Sequence, residues 1–153
     1  MQLKDLLIRD AVQAKLDLQT RDEVIKVSGD MLVAAGAVES RYANAMKQVM
    51  DDLGPYCVIA PGIALLHARP EDGVIRSCLS LITLRTPIEF GHSSNDPVDL
   101  AFALGALDKK SHISALAELA GFLSNADFLR VLRSSADTPA LQRSLFSFIE
   151  MGK

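Results

Sequence analysis

The chain has 153 residues, 49% hydrophobic and 23% charged, a length and balance that suit one folded domain, 1–153, around one core. A net charge of −3 without a long basic stripe excludes nucleic acid as a main partner. No run approaches the ~18 consecutive apolar residues of a membrane span, which excludes direct membrane insertion.

Met1-Gln2-Leu3-Lys4-Asp5 carries an early acid and no apolar core, so no signal peptide is expected and a cytoplasmic location is. Leu3, Leu6 and Leu7 form a short helical stripe. Val12, Ala14, Leu16 and Leu18 then alternate with polar residues, the period of a half-buried strand. Thr20-Arg21-Asp22-Glu23 has the form of a capping box, opening a helix whose inner residues are Val24, Val27, Met31, Leu32 and Ala35, with Gly36 as its stop. A second helix sets Tyr42, Met46, Val49, Met50 and Leu53 on one apolar face and ends at Gly54-Pro55.

An apolar run then reads as the central strand, Cys57 to Ile59, interrupted at Pro61-Gly62 and resumed from Ile63 to Leu66. Proline has no amide to give a ladder, so two strand pieces are expected. The run ends on His67 and is closed by Arg69-Pro70-Glu71-Asp72-Gly73. A histidine where an interior strand reaches the surface is either a reactive side chain on a rigid scaffold or a satisfied structural residue; the pattern leaves both open. Ser77 to Leu84 is a further strand, with Thr86 to Phe90 as an extension, and Gly91 to Pro97 is a polar loop. Val98 to Leu104 reads as a strand covered on both faces. Helices follow from about His112 to Leu123, through Phe128, Leu129 and Leu132 with Ser124 or Asn125 as cap, and from Thr138-Pro139, with proline at the first helical position and Leu141, Leu145, Phe148 and Ile149 inside. Cys57 and Cys78 lie in apolar settings and read as buried small hydrophobes, with no disulfide. The alternation predicts an α/β fold: a mixed sheet of about five strands with helices on both faces.

Of the three histidines, His67 follows the central strand and His112 opens the helix after Val98–Leu104. Sites in open α/β sheets lie outside strand ends, so the two imidazoles meet if those strands are neighbours. The helix start at about residues 109–112 favours an anion, and Arg69 offers a positive fork for phosphate oxygens. Together these point to an anion site with a nucleophile. Histidines 25 and 20 residues apart, without paired spacing, are a poor zinc signal, so no metal is expected. There is no G-x-S-x-G elbow and no P-loop. His92 reads as a solvated loop residue. Asp96 and Asp99 read as turn and strand residues, either of which could orient an imidazole. Arg76 and Arg85 read as solvated strand ends.

The motifs Gly54-Pro55-Tyr56, Ala60-Pro61-Gly62, Leu66-His67 and Arg69-Pro70-Glu71, with Thr86-Pro87-Ile88-Glu89-Phe90, Asn95-Asp96-Pro97-Val98-Asp99 and the His112 helix start, resemble one family in order along nearly the whole chain. It is the enzyme IIA component of the bacterial phosphoenolpyruvate-dependent sugar phosphotransferase system (PTS), mannitol/fructose class, in its ascorbate-type branch. The resemblance implies a phosphotransferase with a phosphohistidine intermediate and no cofactor. His67 would take a phosphoryl group from the phosphocarrier HPr and pass it to a cysteine of a IIB partner, which serves a membrane IIC transporter that takes up and phosphorylates ascorbate or a related sugar. His112 would bond the phosphoryl oxygens or His67, and Arg69 is assigned to charge stabilisation. A transient docking patch would draw on Leu65, Leu66 and Ala68 unless these are core; a homodimer stays open. The alternative is a regulatory domain of the nitrogen-regulatory type, whose phosphorylation state controls a partner. In two places the chain departs from the family pattern. Leu66 stands where the family usually has proline, and Val49-Met50-Asp51-Asp52 lacks the arginine of a mannitol-type Arg-Glu pair, which favours the ascorbate-like branch.

Overall fold

A computed structural model describes residues 2–151. A one-turn helix α1 (Leu3–Leu6) leads into β1 (Leu7–Leu16), followed by α2 (Arg21–Ala34) and α3 (Arg41–Leu53). A 3₁₀ turn at Pro55–Cys57 precedes the hairpin of β2 (Val58–Ala60) and β3 (Ile63–His67), and another at Pro70–Asp72 precedes β4 (Cys78–Ile88) and β5 (Val98–Gly105). The chain finishes with α4 (Lys109–Leu123), α5 (Ala126–Ser134) and α6 (Thr138–Met151).

The sheet order is β1-β4-β5-β3-β2. β1 runs parallel to β4 and β3 parallel to β5, while β4/β5 and β2/β3 are antiparallel. This is the expected mixed five-stranded α/β sheet, but its centre lies elsewhere. The Cys57–Ile59 segment is a turn and a short edge strand, and β5, with its long apolar run, holds the middle. The break at Pro61-Gly62 is the hairpin turn, with Gly62 at φ +76°.

Helices cover both faces. Alternate strand residues such as Ala64, Leu66, Ile82 and Ala101 pack with Val24, Leu32, Tyr42, Met46 and Met50 of α2 and α3. The opposite set, Ile63, Leu65, Leu81, Leu100 and Phe102, packs with Ala115 and Leu119 of α4 and with Phe128, Leu141 and Leu145 of α5 and α6. Burying a side chain of this size contributes about 1.5–3 kcal/mol, so the two layers hold the sheet rigid.

The capping box forms as expected: Thr20 Oγ1 accepts from the Glu23 amide, and Glu23 Oε1 accepts from the Thr20 amide. The last helix starts differently. Asp137 Oδ1 accepts from the Ala140 amide, so Asp137 caps, Thr138 comes first and Pro139 second. Only part of the apolar face assigned to α3 is inside: Tyr42, Met46 and Met50 are buried, Val49 is half-buried and Leu53 is 61% exposed. β1 ends at Leu16, before Leu18.

Candidate active site

Parallel pairing of β3 with β5 decides the site. Its register sets His67 opposite Leu104, the last pair at the C-terminal ends of both strands. Side chains alternate along a strand, so His67 continues the Ile63–Leu65 row, the row that faces α4. β5 then leads directly into α4, whose first turn carries His112. The two rings come together with centroids 5.4 Å apart and planes tilted by 53°. The expected meeting of the two imidazoles therefore follows from the pairing of neighbouring strands.

The His67 ring has a defined orientation. Its Nδ1 lies 3.1 Å from the Leu65 carbonyl oxygen. A carbonyl only accepts, so Nδ1 carries the proton and Nε2 the ring lone pair. His112 is held below its ordinary range, chiefly because burial disfavours the charged ring and secondarily by charge on His67. It is therefore a neutral imidazole at neutral pH. Asp108 caps α4, its Oδ1 accepting the Ser111 amide at 2.7 Å, and that bond holds the carboxyl below the usual range.

Beside His67 lies a hollow of about 470 Å³ between the second half of α3 and the β3 end. Val49 and Leu53 give it an apolar wall, with Asp52, Arg69 and Asp72 at its polar margin. Arg69 thus shares the hollow with His67, but its Nε lies 3.4 Å from Asp72 Oδ2 and 3.8 Å from Glu71 Oε2, within its own turn. Beneath His67, Cys57 touches Met50, Sγ to Sδ 3.8 Å. Burial pushes the Cys57 thiol up to about 11 and Cys78 likewise, so neither offers a thiolate at neutral pH. A hollow of about 510 Å³ lies away from the histidines, against α1 and α4. Its Glu118 is engaged by the Leu3 amide at 2.7 Å.

Some sequence expectations need correcting. His92 is built into its loop: its Nδ1 accepts the amides of Ser94 and Asn95 at 3.1 and 3.0 Å. Asp96 accepts the amides of Phe90, Gly91 and His92, and Asp99 pairs with Arg133 at 2.8 Å, so both carboxylates are committed away from the imidazole pair. Leu65 and Leu66 are each 2% exposed and belong to the core, because a strand sandwiched by helices buries both faces. The exposed apolar side chains flanking the histidines are Leu53, lining the His67 hollow, and Leu107 and Ile113 around the α4 start. Sequence reading missed Tyr42 as a polar residue. Its ring fits the apolar stripe of α3, and nothing in the spacing reveals where its hydroxyl goes. Among the described residues, no group of three or more His, Cys, Asp or Glu side chains is arranged to hold a metal, and no helix is long and apolar enough to cross a membrane.

Residues 5–147 match the family described as "Phosphoenolpyruvate-dependent sugar phosphotransferase system, EIIA 2". The chain belongs to that family. It is therefore similar throughout to EIIA components of sugar phosphotransferase systems. An ascorbate-specific PTS system EIIA component of Escherichia coli (strain K12) is 39% identical over 142 residues, covering 90% of this chain and 92% of that protein. The solution structure of the mannitol-specific cryptic phosphotransferase enzyme IIA CmtB from Escherichia coli superposes with a TM-score of 0.83 at 28% identity, covering 96% of this chain and 99% of that one. The enzyme IIA of a complex between mannitol IIA and phosphorylated mannitol IIB from Escherichia coli has the same fold, with a TM-score of 0.79 at 21% identity over 93% of this chain and 99% of that one.

Proposed function

We propose that this EIIA chain, acting as one domain in the cytoplasm, relays a phosphoryl group through His67 from phospho-HPr to a cysteine of a IIB partner. That partner would feed a membrane IIC transporter of ascorbate or a related sugar. The observation that carries the reading is the 3.1 Å approach of His67 Nδ1 to the Leu65 carbonyl oxygen. With the Nδ1 proton given to the Leu65 carbonyl, Nε2 has the lone pair that attacks phosphorus. A bond forms from Nε2 to phosphorus as the bond to the carrier breaks. Positive charge develops on the ring, and the Nδ1–H···O=C bond stabilises it without a proton having to leave. In the second half, the IIB cysteine attacks phosphorus as its thiolate, the S–P bond forms as the Nε2–P bond breaks, and the ring regains its lone pair with Nδ1 still protonated.

His112 is assigned to orienting the phosphoryl group. A neutral ring 5.4 Å from His67 can donate a hydrogen bond to a phosphoryl oxygen without opposing the charge that develops on its neighbour. Arg69, on the same hollow, is assigned to charge stabilisation; it would exchange its Asp72 and Glu71 contacts for phosphoryl oxygens. Leu53, Leu107 and Ile113 are assigned to transient docking in place of the buried Leu65 and Leu66. The ascorbate assignment rests on the 39% identical relative.

The test is intact-protein mass after incubation with phosphoenolpyruvate, enzyme I and HPr. One acid-labile phosphoryl group is expected on the wild type and none on His67→Ala. His112→Ala should load about 10²-fold more slowly, the usual loss for one donor to transition-state charge. A wild type that stays unmodified while a control EIIA is loaded would refute the relay. Transfer onward to an ascorbate-type IIB, faster than to a mannitol-type IIB, separates transport from the regulatory alternative.

A further inference from the structure

We infer that Tyr42 is a positioning residue for His67, and this rests on the relay reading above. The β3–β5 ladder ends at the His67/Leu104 pair. Beyond a ladder's end the next amide and carbonyl have no strand partner, and a buried backbone group needs one. The Tyr42 hydroxyl supplies both. It accepts the Ala68 amide at 3.0 Å and donates to the Leu104 carbonyl at 2.7 Å. One oxygen thus adds a rung just past the residue that carries the candidate nucleophile.

The side chain is well suited to that task. Tyr42 sits in the first turn of α3, is fully buried, and has a rigid ring with only two side-chain torsions. Burial raises its phenol well above the ordinary value, so the hydroxyl keeps its proton and stays a donor. Three segments meet at this atom: α3, whose second half walls the hollow, the end of β3, and the end of β5 that continues toward His112. The hydroxyl therefore couples the His67 backbone to both the docking wall and the helix that brings His112. Loss of the rung frees the backbone on the C-terminal side of His67. The Nδ1 bond to Leu65 and the 5.4 Å ring approach then lose their fixed geometry. In-line attack is sensitive to such small misplacements.

The experiment compares Tyr42→Phe with the wild type in phosphotransfer from phospho-HPr, alongside ¹⁵N NMR of the His67 ring in the unphosphorylated full chain. We expect kcat to fall about 10-fold or more while KM changes less than about two-fold, and the ring nitrogen signals to move from one tautomer toward an average of two. Wild-type kcat with unchanged ring signals overturns the inference. So does a fall in stability without a change in those signals, which would make Tyr42 merely structural. If Tyr42→Phe does not fold, hydrogen exchange in the unaltered chain decides. Ala68 amide protection equal to that of ladder amides upholds the rung, and exchange as fast as an exposed loop amide overturns it. If the wild type accepts no phosphoryl group, the relay reading fails, and the ring signals still judge the placement of His67.

Discussion

His112 carries the most direct pH consequence in the molecule. Its folded proton affinity is lowered, first by burial and then by charge on His67. Above the ordinary histidine value near 6.5, folded and unfolded chains are both neutral at this residue, and its stabilising contribution is fully present. As pH falls below that value the unfolded chain takes up the proton first. Stability is lost through the window down to the lowered folded value, and below it the loss is complete. His112→Gln should therefore flatten the fall in urea midpoint between about pH 7.5 and 5 relative to the wild type. Parallel curves would mean that His112 does not titrate as its burial requires. The sequence made this pair of histidines legible because strand ends are where an α/β sheet exposes chemistry. It did not make Tyr42 legible, since helical spacing reports a ring's face and not the destination of its hydroxyl. His92 was misread for a related reason: its Nδ1 is an acceptor for two amides only once the loop closes on it.

At the scale of elements, the α2 start was readable from local chemistry, since Thr20 accepts the Glu23 amide, and Asn125, one of two candidate caps, opens α5, whereas α4 begins at Lys109 with Asp108 as its cap, three residues before the expected His112. The order of strands was not readable, because pairing is set by how both faces are covered. The β2–β3 turn shows how a punctuation signal acquires its energetic weight. Gly62 has φ +76°, its amide donates to the Asn95 carbonyl at 2.8 Å, and its carbonyl accepts the amides of Asp99 and Leu100. A Cβ there would lie 2.7 Å from both Arg133 Nη2 and Asp99 Oδ1, between the members of a two-point ion pair. The left-handed backbone costs an alanine about 1–2 kcal/mol. Displacing the pair adds at most about 1 kcal/mol, because both side chains are partly exposed and screened. Gly62→Ala should then lose about 1–3 kcal/mol in urea unfolding. Its phosphotransfer rate per folded molecule should stay near the wild-type rate, since His67 stands at the other end of β3. A loss no larger than the backbone cost would mean that Arg133 and Asp99 separate at little cost, and an unchanged urea midpoint would overturn the left-handed cost as well.

For the molecule as a whole, the proposed relay sets a geometric constraint. Donor and acceptor must both reach phosphorus on one nitrogen, and His67 is reached from one end of the sheet, beside the hollow walled by α3 and near the α4 start. The two partners therefore have to use overlapping ground and exclude one another. Leu53, at 61% exposure, lines that hollow, Ile113, at 60%, follows His112 in α4, and both have little role in the core. Covering such a side chain at an interface contributes about 1.5–3 kcal/mol when complete, which corresponds to roughly a 10- to 100-fold change in affinity. Ile113→Glu and Leu53→Glu should each raise KM for phospho-HPr about 10-fold or more. They should weaken transfer to IIB in the same proportion, while the melting temperature stays within about 2–4 °C of the wild type, as expected for surface positions. Unphosphorylated IIB in excess should inhibit loading competitively against phospho-HPr, raising apparent KM without lowering the maximal rate. Non-competitive inhibition, or variants that impair one partner alone, would mean that the partners dock on separate surfaces and that His67 is approached from two directions.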